Sequence, residues 1–128
     1  MDQTKLLNAI GEVNAAWQYV PDDGDSWDVT TRGDCEDYAF SVVAAYAKRT
    51  GKGFLRTLLF GGFSYHYVEI NKDGHFVLET PHGFVESSYR RLMWQSKLTI
   101  LNLNRGREPF DFRFKYNKLR VLLRLALT

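Results

Sequence analysis

The chain has a single cysteine in 128 residues, so no intrachain disulfide can form and nothing ties it to an oxidising compartment. No apolar run reaches the roughly 20 residues of a membrane-spanning helix. The start, Met1-Asp2-Gln3-Thr4-Lys5-Leu6-Leu7, lacks the cationic stretch and apolar core of a secretory signal. These absences predict a soluble, cytoplasmic protein with no transmembrane segment. Neither His-Glu-x-x-His nor Cys-x-x-Cys occurs, which argues against zinc. Repeats and low-complexity linkers are also missing, so residues 1–128 are read as one domain with one core.

Charge is nearly balanced at +2, which gives no reason to expect specific nucleic-acid binding. Its distribution is uneven. Residues 105–128 carry seven Lys and Arg against Glu108 and Asp111, a local balance of +5 on a body of −3. This basic C-terminal segment reads as a solvated helix face more readily than as a docking site.

Apolar spacing predicts a helix over 3–17, a turn at Pro21 to Asp25 and irregular chain to Arg32. A mostly buried helix follows from Cys35 to about Arg49, with Asp34 as its N-cap and Gly51 as its stop. Aromatic and β-branched content then suggests strands at 54–60, 63–71 and 75–80, and further strands at 98–103 and 110–116. A helix over 119–127 ends the chain.

The lone thiol, Cys35, lies where turn-like chain gives way to a helix. Backbone N–H groups and the positive end of the helix dipole there favour thiolate. His66 lies in one predicted strand and Glu79 in the next. If Asn71 to Gly74 form the hairpin loop, His66 faces Glu79 directly; if Asp73-Gly74 alone form it, the two are diagonal neighbours. An even loop keeps both side chains on one face in either case. A thiol, an imidazole and a carboxylate in this order are what acyl transfer needs: nucleophile, proton carrier and orienter. Taken singly, Cys35 and His66 would read as core residues, and Glu69 or Glu86 could replace Glu79. His82 is the alternative base, and His75 reads as a surface residue.

Gly33-Asp34-Cys35-Glu36-Asp37-Tyr38-Ala39, His66-Tyr67-Val68-Glu69-Ile70 and Gly74-His75-Phe76-Val77-Leu78-Glu79 resemble, in order, the three motifs of the bacterial transglutaminase-like cysteine peptidases. The resemblance extends from Asn8 to Tyr89 and includes Asn14 and Tyr19 to Asp22. Two features depart from the family pattern: glutamate stands at 79 where aspartate is usual, and the segment before Cys35 is short. The resemblance implies an α+β, papain/transglutaminase-like fold with a central helix packed on an antiparallel sheet. It also implies a cysteine endopeptidase with Cys35, His66 and Glu79 as its triad, acting on a protein or peptide. Transamidation or glutamine deamidation would use the same triad, and a non-catalytic binding or inhibitory module could keep the scaffold. Compact versions without export signals suit a phage product acting in a host cytoplasm or carried in a virion.

Two further roles are expected. Gln18, after the first helix, is the candidate oxyanion donor, with Trp17 shaping the cleft. Asp34 and Glu36 match positions where the family's periplasmic members bind calcium. Acids at a helix start are also favourable through capping and the dipole alone, so both readings stand. No cofactor is required for the chemistry.

Overall fold

The computed structural model of the chain describes residues 1–20, 29, 32–70, 73–85, 90–92 and 111–127. Helix α1 (Gln3–Ala16) starts at Asp2, whose side chain accepts from the Lys5 N–H at 3.0 Å. It buries Leu6, Ala9 and Ile10, one stripe at helical spacing. Helix α2 (Cys35–Thr50) begins with Glu36 and Asp37 and ends with Lys48 and Arg49, charges that suit the helix dipole at both ends. Gly51 closes it in the left-handed region at φ 73°, with Gly51 N–H donating to Lys48 O and Lys52 N–H to Ala47 O.

Helix α2 is the central layer. Tyr38, Phe40, Val42 and Val43 are fully buried, because α1 covers one side and the sheet the other. Strands β1 (Gln18–Tyr19) and β2 (Arg32–Gly33) form a short parallel pair just before α2. The main sheet comprises β3 (Ser64–Ile70), β4 (Asp73–Thr80), β5 (Gly83–Val85) and β6 (Asp111–Tyr116). Its order is β5-β4-β3-β6, antiparallel throughout. Helix α4 (Lys118–Leu127) starts at Asn117, whose Oδ1 accepts from the Leu119 N–H at 2.8 Å. It places Val121 in the shared core. The protein is thus a small α+β fold with an antiparallel sheet, and no described helix is long and apolar enough to cross a membrane.

Residues 54–60, expected as a strand, form helix α3 (Phe54–Phe60). Thr57 and Leu58 are buried side by side while Leu55 and Phe60 are exposed, which is not the alternation of a strand. Leu and Arg outweigh the two terminal phenylalanines in local preference. Thr57 N–H donates to Gly53 O and Gly61 N–H to Thr57 O. A Cβ at Gly61 would meet Thr57 O at 2.5 Å, so this stop requires glycine.

The hairpin register also differs from both expected versions. Ile70 pairs with Asp73, so Asp73-Gly74 belong to β4 instead of to the loop. The β1–β2 pair and β5 were not anticipated; segments of two or three residues are too short to show a period. The predicted turn at 21–25, the strand at 98–103 and Glu86 lie outside the described residues.

Candidate active site

The register determines which side chains share a face. Tyr65 pairs with Leu78, and Phe76 lies two residues from Leu78, so these three share the face towards α2, where Tyr65 and Phe76 pack on Phe40. His66 pairs with Val77, and Ser64 with Glu79, which in turn pairs with Phe84. His66, Val77, Glu79 and Phe84 therefore occupy the opposite face. The observed loop keeps the expected parity even though it shifts the partners.

His66 and Glu79 meet there. Nε2 of His66 lies 2.9 Å from Glu79 Oε1, with the imidazole mostly covered and the carboxylate more open. The Phe84 ring stands 6.3 Å from the imidazole, centre to centre, and forms an apolar wall beside it. A carboxylate on one ring nitrogen sets the tautomer and assigns proton exchange to the other.

Cys35 occupies the first position of α2, half-buried. Its thiol donates to Glu36 Oε2 at 3.4 Å, and its sulfur accepts from the Phe76 backbone N–H at 3.4 Å. Phe76 precedes Val77, the strand partner of His66, so the backbone group that holds the thiol is one residue along β4 from the position paired with His66. Among the described residues His66 is not a hydrogen-bond partner of Cys35. The helix start does not yield the expected thiolate: burial pushes the Cys35 thiol well up, and the Glu36 and Asp34 charges push it the same way. The Phe76 N–H opposes them only in part.

Asp34 caps α2, and its N–H donates to Asp37 Oδ2 at 3.2 Å, one arm of a capping box. Burial, and then a hydrogen bond with Asp34, push the Glu36 carboxyl up to about 8. One donor atom each from Asp34, Cys35 and Glu36 lie within 4.8 Å of one another. Asp34 Oδ1 is buried without a hydrogen-bond partner among the described residues, so its lone pairs are available to coordinate a cation. Calcium, however, takes six to eight oxygen ligands. Two carboxylates, that of Glu36 held towards its neutral form by burial, beside a soft sulfur make only a fragment of that shell.

Gln18 is exposed in β1, its backbone opposite Arg32 and two positions from the Asp34 cap. Trp17 is buried, packs edge-on against Tyr38 at 5.3 Å, and has no described partner for its Nε1. His82 sits after β4 with Nε2 3.1 Å from Met1 O, away from the Cys35 contacts. His75 and Glu69 lie in β4 and β3, opposite Val68 and Gly74.

Sequence reasoning missed two elements of the site. One is the Phe76 N–H, a backbone group that leaves no trace in residue type. The other is a relay from Tyr38 Oη to Asn14 Oδ1 at 2.7 Å and from Asn14 Nδ2 to Arg90 O at 2.8 Å. It fastens α1, α2 and the Arg90 segment together, and the signals for it were a polar Asn14 on a helix flank and its place in the resemblance. No family model matches the chain, and no curated protein matches its sequence.

Proposed function

We propose that this chain is a transglutaminase-like cysteine endopeptidase with a papain/transglutaminase-like fold. The observation that carries the reading is the 2.9 Å contact of His66 with Glu79, made on the strand pair that also reaches Cys35. In the proposed reaction His66 takes the thiol proton as Sγ bonds to the scissile carbonyl carbon. The carbon–nitrogen bond then breaks, and the leaving amine takes the proton from His66. Water attacks the thioester carbon and gives a proton to His66, and Sγ leaves with that proton as a thiol. Glu79 steadies the imidazolium. The developing oxyanion would take N–H donors at the start of α2, with Gln18 as the proposed second donor.

Because the resting thiol is protonated and bonded to Glu36, a bound substrate has to turn Sγ towards His66. No step of this reaction depends on calcium. The site of action proposed is the cytoplasm, including a host cytoplasm if the chain is phage-encoded.

The same Cys35 bonding favours a second reading, a binding module that keeps the scaffold without turnover. One experiment separates the two. A lysate is incubated with the wild-type chain or with Cys35→Ser, and new termini and modified glutamines are mapped by mass spectrometry. New peptide termini that need Cys35 and His66 support the peptidase. Glutamine-to-glutamate conversion would reassign it as a deamidase, and isopeptide links as a transglutaminase. Identical peptide maps with both proteins would leave the binding module as the reading.

A further inference from the structure

Helix α4 carries more apolar surface than the fold uses. Val121 is fully buried, with Leu122 and Leu125 packed beside it, and this stripe accounts for the contact of α4 with the core. Leu119 and Leu123, one turn apart on another side, remain 65% and 63% exposed. A helix that only covered a sheet would be polar there. The neighbouring α3 repeats the pattern: Thr57 and Leu58 are buried, whereas Leu55 is 55% and Phe60 81% exposed.

The two helices are in contact and are fastened at one point. Lys118 Nζ donates to Leu59 O at 2.7 Å, placing a cation on the carbonyl end of α3. Phe60 and Leu119 are the chain neighbours of that bonded pair, so these two exposed residues stand at adjoining points of the two helices. Arg56 on α3 and Arg120 on α4 are exposed, and neither forms an ion pair among the described residues. No acidic residue occurs in either helix.

We propose that α3 and α4 form a docking face for an anionic lipid bilayer. Exposed leucines and a phenylalanine beside exposed arginines match an interface of acyl chains beneath anionic headgroups. A second copy of this face would set arginine against arginine without an acid to answer it. Phosphates of a nucleic acid would engage the arginines but would leave four large apolar side chains in water. The face is made of helix exteriors, which suits a broad surface better than a side-chain pocket.

The test is co-sedimentation of the full chain with vesicles of phosphatidylcholine alone or mixed with phosphatidylglycerol. Binding is expected only to the mixed vesicles. Each arginine near an anionic surface strengthens binding roughly fivefold, so Arg56→Glu with Arg120→Glu should weaken it by about tenfold or more. Leu119→Ser with Leu123→Ser should abolish it with an unchanged circular dichroism spectrum. Phe60→Ser, at the most exposed of these positions, should weaken it without any effect on folding. Failure to bind mixed vesicles would overturn the proposal, as would undiminished binding by Phe60→Ser. A dimer dissolved by the leucine substitutions would assign the face to a second copy, and tighter binding to duplex DNA at equal salt would assign it to nucleic acid.

Discussion

Glu79 stands diagonally from His66 across the β3–β4 ladder, opposite Ser64, and closes the gap with Oε1 2.9 Å from Nε2. Diagonal neighbours on a sheet are about 7–8 Å apart at their backbones. A glutamate spans that distance where an aspartate falls one methylene short. The glutamate at 79 and the diagonal register are therefore two sides of one arrangement. Glu79→Asp should lower the proposed Cys35-dependent turnover by about tenfold or more, because the imidazole loses its orienter. The open carboxylate makes the pair worth less than about 1 kcal/mol to folding, so the urea midpoint should hardly move. A variant with unchanged turnover would reduce Glu79 to a surface carboxylate.

That example shows what was legible in the sequence. Parity was, because it depends only on whether the loop is even, and so the shared face of His66 and Glu79 could be expected before any coordinates. Register was not: Asp73-Gly74 is a strong turn signal, yet both residues extend β4 and the pairing starts at Ile70. The long helices α1 and α2 announced themselves through period and caps. Helix α3 did not, since seven residues barely complete two turns and phenylalanine at each end imitates a strand. The protonation state of Cys35 was also misjudged, because it depends on burial and on the acids flanking it, which the dipole argument ignores.

Glu36 gives the fold a pH dependence of definite sign. Its carboxyl is raised from an ordinary 4.5 to about 8, mainly by burial. The folded chain therefore binds this proton more tightly than the unfolded chain does. The stabilisation is fully present below about 4.5 and is lost as pH rises to about 8. Urea midpoints should fall between pH 5 and pH 8, and Glu36→Gln, which stays neutral, should flatten the profile. A midpoint that rises over this window in the wild type would contradict the assignment.

Tyr38→Phe removes the hydroxyl that donates to Asn14 Oδ1 and leaves that oxygen without its donor. The ring itself is fully buried and remains in place. We expect a loss of about 1–3 kcal/mol in chemical denaturation. Asn14→Ala should cost a similar amount and also release the Arg90 carbonyl, visible as faster amide exchange near 90–92.

Gly51→Ala tests the end of α2. The residue sits at φ 73°, and a Cβ there would have nothing within 4 Å, so the penalty is one of backbone conformation alone. About 1–2 kcal/mol should be lost. The proposed Cys35-dependent turnover should persist, because the substitution lies at the far end of the helix.

The short β1–β2 pair has a wider consequence. Tyr19 and Gly33 are held side by side, so the chain leaves the end of α1 and returns to the start of α2 at neighbouring positions. Cys35 is therefore positioned from two directions, by the helix that follows it and by a strand pair two residues ahead of it, so a change that parts Tyr19 from Gly33 would uncouple the thiol from the end of α1.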